Sequence, residues 1–314
     1  MKLFFIKNGL MGLLVSSTAW VCWAVADWSE ADSTNGWAAI IDKHAHAQTT
    51  SGTVWLVGGS NVMFGYNSDY LTTALRRPTI NMGIGAALGL PFMLNEALAV
   101  AKPGDIVVLS LEYNLRHGDY NAQLCAADFY PPARHYIHYP DQITWLKANA
   151  HYQLRKAKNG LNTILYGYGE KKPPTVDDTL NVYFRSAFSK RGDLISHLNN
   201  PRPQGLNFDS RESYSPYHDY INHINDFVRD AQKTGISVFF TYPPIAKATY
   251  QANQAVFAKW QHELTTHMTA KILTEPTSTV YPDTLFFDTE YHLTEVGRDQ
   301  HTQLLLSKLK PYCP

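Results

Sequence analysis

Short apolar runs, each closed by a turn and followed by a helical stretch, constrain this chain more than any other feature. Residues 53–57 read Thr-Val-Trp-Leu-Val and end in Gly58-Gly59-Ser60-Asn61. A helical stretch at 70–76 leads to a second run at 79–82; an apolar helical stretch at 88–101, closed by Pro103-Gly104, leads to a third at 106–111. Runs of this length, rich in β-branched and aromatic residues and bounded by Gly or Pro, read as buried strands. Strands that alternate with helices pair in parallel, with helices on both faces of the sheet. The pattern returns after residue 210. A helix at 217–234 ended by Gly235 precedes a fourth strand at 236–241 ended by Pro243-Pro244. A long helix at 250–273, a fifth strand at Leu285-Phe286-Phe287 and a last helix at 294–309, with Thr294 as its N-cap, complete an α/β chain.

Between 115 and 210 the alternation stops. Pro131-Pro132, Pro173-Pro174 and many Tyr, His and Asn residues fill a stretch too long for a simple loop in a compact domain, so it reads as an insertion after the third strand, with its own helices. One of these falls near 142–158. The chain thus divides into an N-terminal segment at 1–26, a connector at 27–51 that is helical around 37–46, and a domain at 52–314 carrying the insertion.

Composition excludes several classes. Hydrophobic residues make up 45% of the chain and charged ones 17%, with 19 Tyr, 14 Phe and 7 Trp, which rules out a disordered chain. Lys plus Arg and Asp plus Glu balance at 27 each, leaving no electrostatic footprint for nucleic acid. Cys22, Cys125 and Cys313 have neither CxxC nor Cys/His spacing, so no zinc site is expected, and no pattern calls for a metal or an organic cofactor.

The N-terminus sets the compartment. Lys2 and Lys7 precede an almost uncharged stretch at 9–26, and Asp27, Glu30 and Asp32 follow it, so the positive-inside rule sends the remainder outward, to the periplasmic side of the cytoplasmic membrane. The stretch is about the minimum length for a span. It also ends in Ala24-Val25-Ala26, an A-x-A cleavage site, so signal anchor and cleaved signal peptide both fit. Trp20 and Val21 stand where a lipobox before Cys22 needs small residues.

In a parallel α/β sheet, ligands bind beyond the carboxyl ends of the strands. Gly58-Gly59-Ser60-Asn61, Tyr113-Asn114 and Asp288-Thr289-Glu290-Tyr291-His292 all fall at such ends. A serine on a Gly-rich strand-to-helix turn exposes its hydroxyl beside main-chain N–H groups that can hold an oxyanion; it needs an imidazole to take its proton. His292 supplies the imidazole and Asp288, or Glu290 in a tighter turn, orients it.

These residues resemble the SGNH (GDSL-like) hydrolase family. Val57-Gly58-Gly59-Ser60 is similar to its Gly-Asp-Ser block, with Gly59 in place of the Asp. Asn81-Met82-Gly83-Ile84-Gly85-Ala86 resembles its second block, which implies an oxyanion-hole N–H at Gly85 or Ala86, and Glu112-Tyr113-Asn114 resembles its third, which implies a role for the Asn114 amide. The Asp-x-x-His block looks like Asp288 to His292 with one extra residue. The resemblance implies a three-layer α/β/α sandwich with a five-stranded parallel sheet in the order 2-1-3-4-5, with Ser60, His292 and Asp288 catalytic. The Tyr291-His292-Leu293-Thr294 context, with Gly297 and Arg298, looks most like the membrane-anchored branch that works beside membrane-bound O-acyltransferases on cell-surface polysaccharides. The implied partners are an acyl donor, a carbohydrate acceptor and a membrane-bound O-acyltransferase. The expected activity is serine-dependent hydrolysis or transfer of an acyl ester. The rival expectation is a catalytically silent glycan-binding or scaffold subunit, suggested by the missing Asp after Gly58 and the altered Asn block.

Overall fold

The computed structural model describes residues 2–29, 35–49, 51–113, 115–166 and 182–313. In chain order the elements are α1 (Lys2–Ser29), α2 (Ala39–Thr49), β1 (Val54–Val57), α3 (Ser60–Gly65), α4 (Ser68–Leu75), β2 (Thr79–Asn81), α5 (Gly89–Val100), β3 (Ile106–Ser110), α6 (Tyr120–Phe129), α7 (Gln142–Tyr166), α8 (His218–Lys233), β4 (Ser237–Thr241), β5 (Ile245–Ala246), α9 (Lys247–Ala252), α10 (Gln254–His267), β6 (Lys271–Ile272), β7 (Val280–Tyr281) and α11 (Glu295–Leu309).

Five strands form one parallel sheet in the order β2-β1-β3-β4-β6. Alternation of side chains along each strand sorts the helices into two layers. Trp55 and Val57 of β1, Val107 and Leu109 of β3, and Phe240 of β4 face α5, α8 and α10 through Leu94, Ile224, Phe227 and Trp260. Val54 and Leu56, with Ile106, Val108 and Phe239, face α3, α4 and α11 through Val62, Leu71, Leu75 and Leu305. The fold is therefore an α/β/α sandwich whose strands are buried on both faces, and their near-continuous apolar runs reflect that. At the amino end of the sheet, the Trp55 indole N–H donates to Asp105 Oδ2 at 2.9 Å, and Thr53 N–H to Asp105 Oδ1 at 2.8 Å, so a buried carboxylate ties the entries of β1 and β3 together.

Two assignments change. Leu285-Phe286-Phe287 is not the fifth strand of the sheet; that edge belongs to Lys271–Ile272. The backbone of the 285–294 segment is used locally: Phe286 N–H donates to Asp283, Phe287 N–H to His292 at 2.7 Å and Thr294 N–H to Leu285 at 2.9 Å, which closes a small hairpin instead of extending a ladder. The long helix expected at 250–273 is two helices that stop at His267, which releases residues 271–272 to the sheet edge. Between them, Asn253 uses its side chain on Ser210 O, Thr249 O and the Glu212 N–H, and this outward bonding competes with helix continuation. Thr294 does cap α11, accepting from Gly297 N–H at 3.4 Å.

The connector is built into the core. Ile40 is fully buried, His44 meets Glu96 of α5 at 2.9 Å, and Lys43 Nζ donates to the carbonyls of Asn81 and Gly192 at 2.7 Å each. The helix expected at 142–158 runs on to Tyr166. No disulfide joins Cys125 to Cys313.

Candidate active site

Because β1, β2 and β3 are parallel and in close register, Val57 opposite Leu109 and Leu56 opposite Asn81, their carboxyl ends bring three loops to one edge. The loops interlock at van der Waals limits. A Cβ on Gly58 would stand 2.0 Å from the Ser110 carbonyl oxygen, and one on Gly59 2.4 Å from Glu112 Oε1. Glycine is the residue that lets the turn pass, and the turn delivers Ser60 at the start of α3. Asn81, fully buried, fixes the second loop: its Nδ2 donates to Val62 O and Asp193 Oδ1 at 2.8 Å each, and its Oδ1 accepts from Gly83 N–H at 2.9 Å.

The 287–292 hairpin brings in the imidazole. His292 Nδ1 lies 2.7 Å from Asp288 Oδ1, so the extra residue between them is absorbed by the turn. Phe64 of α3 stacks on the His292 ring with centroids 4.1 Å apart and planes 1° from parallel. An ionised carboxylate only accepts hydrogen bonds, which assigns the proton to Nδ1 and leaves Nε2 as the basic nitrogen. Tyr183 OH donates to Asp288 Oδ2 at 3.0 Å and lies 3.2 Å from His292 Nδ1. Burial pushes the Asp288 carboxyl up, but the His292 hydrogen bond and charge, with the Tyr183 hydroxyl, outweigh it and hold the group below the ordinary carboxylate value. Among the described residues no hydrogen bond or ion pair joins Glu290 to His292; the Glu290 carbonyl accepts from Ala246 N–H.

Ser60 and His292 line one cavity of about 600 Å³, together with Gly85 and Ala86. They are not hydrogen-bonded to each other. The Ser60 hydroxyl donates to Glu112 Oε1 at 3.4 Å, and Asn61 N–H donates to the same oxygen at 3.1 Å. The main-chain N–H groups of Ser60, Gly85 and Ala86 have no acceptor among the described residues. Asn114 lies outside the described residues.

Five contributors escape a reading of the sequence alone. Glu112 is buried, and its Oε2 has no hydrogen-bond partner among the described residues. Burial raises its pKa against the opposing pull of the Asn61 N–H, the His292 charge and the Ser60 hydroxyl. An acidic residue directly after an apolar strand was the available signal, since buried carboxyls are rare without a purpose. Tyr183 comes from the insertion and Trp37 from the connector; both line the cavity, as do Arg155 and Asn159 of α7. Nothing local in the sequence marks them. Among the described residues no cluster of His, Cys, Asp and Glu is arranged to hold a metal ion.

No protein-family model, curated protein or solved structure matches this chain. The site is accordingly read from its own geometry. A serine on a strand-end turn, an oriented imidazole and unengaged amides around one cavity can support nucleophilic attack on an acyl carbonyl.

Proposed function

We propose that this chain is an exported serine-dependent acyl-ester enzyme that hydrolyses or transfers O-acyl groups on a polysaccharide. The observation that carries the reading is that His292, paired with Asp288 and stacked on Phe64, lines the same cavity as Ser60. Ser60 Oγ attacks the acyl carbonyl while His292 Nε2 takes its proton; the imidazolium then passes that proton to the leaving oxygen, and an acyl-Ser60 ester remains. Water or a sugar hydroxyl, deprotonated by His292, attacks the ester and restores Ser60. The N–H groups of Ser60 and of Gly85 or Ala86 receive the oxyanion. Before attack the serine must rotate from Glu112 toward His292.

The resemblance to SGNH hydrolases supports this reading, and Glu112 bears on its weakest block. Gly59 stands where an Asp is expected, and the space its side chain would need is taken by the Glu112 carboxyl. One helix near the N-terminus, at Ile6–Ala26, is long and apolar enough to cross a membrane. We take it as a retained anchor that holds the enzyme on the periplasmic side beside a membrane-bound O-acyltransferase, which delivers the acyl group.

A second reading draws on the Ser60–Glu112 contact and the lack of a Ser60–His292 bond: a silent subunit that binds glycan or scaffolds an acyltransferase complex. A fluorophosphonate probe separates the two. Wild type is expected to be labelled at Ser60, and Ser60→Ala or His292→Ala is expected to lower hydrolysis of p-nitrophenyl acetate by about 10³-fold. Absence of labelling in folded protein, or equal rates for wild type and Ser60→Ala, would favour the silent subunit.

A further inference from the structure

The helix at Gln142–Tyr166 divides its circumference in a way that the catalytic reading leaves unused. On its inner side, Tyr152 OH and Lys156 Nζ both reach Asp128 Oδ2 of α6 at 2.8 Å. On a second side it grips α1. Gly160 is pressed against the backbone of Cys22, where a Cβ would fall 1.6 Å from the carbonyl oxygen. The Trp23 indole N–H donates to Gln153 Oε1 at 2.6 Å, and Lys156 Nζ sits 4.5 Å from the Trp23 ring centre. The outer side is apolar and uncovered. Ile143, Leu146, Leu154, Leu161, Ile164 and Leu165 recur at helical spacing on one stripe, and Leu154 is 72% exposed.

A stripe of this kind on an ordinary surface helix would be an aggregation liability. Here it continues the exposed apolar surface of α1, on which Leu10, Leu13, Leu14 and Trp20 also face outward. The 25 residues of α7 contain no carboxylate, and Lys147, Arg155 and Lys158 are exposed along its length. An apolar face bordered by cations is what an anionic bilayer surface binds.

We propose that α7 is a membrane-interface helix: its apolar stripe lies in the acyl-chain boundary of an anionic bilayer, docked alongside the spanning helix α1. The inference rests on α1 being retained and does not depend on the serine chemistry. It has a consequence for that chemistry, because Arg155 and Asn159 of the same helix line the Ser60–His292 cavity. The cavity is thereby held at the membrane surface, within reach of a donor presented there.

The test uses the full chain in vesicles of phosphatidylcholine and phosphatidylglycerol, labelled with an environment-sensitive nitrobenzoxadiazole at Leu154→Cys or Leu161→Cys on the stripe, or at Asn162→Cys beside it. Leu14→Cys in α1 reports whether the anchor is embedded, and wild type, whose native cysteines are buried, sets the labelling background. With bromine-bearing acyl chains, quenching at Leu154 and Leu161 is expected to match that at Leu14 and to exceed that at Asn162 by about twofold or more. Quenching at Leu14 alone would overturn the proposal while leaving the anchor intact. Quenching at none of the sites would overturn both. Shielding of the stripe from aqueous iodide without lipid quenching would assign it to a second copy or a protein partner, and would equally overturn the bilayer as its occupant.

Discussion

The two walls of the candidate cavity are held by different forces. The wall carrying Ser60, Gly85 and Ala86 rises from the ends of β1 and β2 and is set by contacts that leave no slack: Gly58 against the Ser110 carbonyl, Asn81 with three partners, Glu112 under Gly59. The second wall, the rest of the lining, is assembled from distant pieces: Trp37 of the connector, Arg155 and Asn159 of α7, and Tyr183 of the insertion. On the proposed activity, the first wall would determine whether a bond is broken, because reacting groups tolerate little displacement, and the second what reaches it. The residues of the second wall come from segments outside the sheet, as binding residues on connecting segments commonly do.

That contrast sets the predictions. The first wall should fail through folding. Gly58→Ala forces a methyl group onto a backbone oxygen at the centre of the sheet edge, where no side chain can yield, and is expected to cost about 3 kcal/mol or more. Urea denaturation measures it; a loss below about 1 kcal/mol would mean that the strand ends are less rigidly interlocked than described.

The second wall should fail through substrate use. Trp37 lies over Gly85, with a ring carbon 3.2 Å from where a Cβ would stand, and borders the cavity. On the proposed activity, Trp37→Ala is expected to change KM for esters with longer acyl chains by roughly tenfold, with kcat on the acetyl ester changed far less. Equal losses in kcat for every ester would place Trp37 with the chemistry and erase the distinction between the walls.

The smallest effect separates two carboxyls behind the cavity, Glu112 against Ser60 and Asp288 against His292. Burial raises the Glu112 pKa above its unfolded value of about 4.3, so its contribution favours folding fully below that pH and is lost as pH rises through the folded value. Asp288 has the opposite sign, its folded pKa being depressed; its contribution is present above its unfolded value of about 3.9 and is lost as pH falls through the folded one. Glu112→Gln is therefore expected to lose less stability than wild type as pH rises from about 4.3, shifting the Tm difference by a few degrees. An unchanged pH profile would show that folding leaves the Glu112 pKa at its unfolded value.

Local pattern carried much of the molecule. The runs at 53–57, 79–82, 106–111 and 236–241 are strands because strands buried on both faces must be apolar throughout, and such runs are visible one residue at a time. Of the candidate site, Ser60 could be picked out for a related reason, since it is a polar residue at the carboxyl end of a buried strand; Asp288 and His292 follow an apolar triplet that is not a strand of the sheet, and their place beside the same cavity comes from the local hairpin. The residues at 285–287 were misread because an apolar triplet does not reveal whether its N–H groups will find a neighbouring strand or, as here, the turn beside them. What the sequence by itself determined was the alternation, the polar strand ends and the apolar N-terminal helix, all of which depend on neighbours within a few residues. What only the tertiary structure decided was that Glu112 fills the space left by Gly59, that Tyr183 reaches Asp288, and that α7 lies along α1 with an apolar stripe outward. These pairs stand between 53 and 138 positions apart. Their meeting depends on how the layers pack, and that is a property of the whole chain.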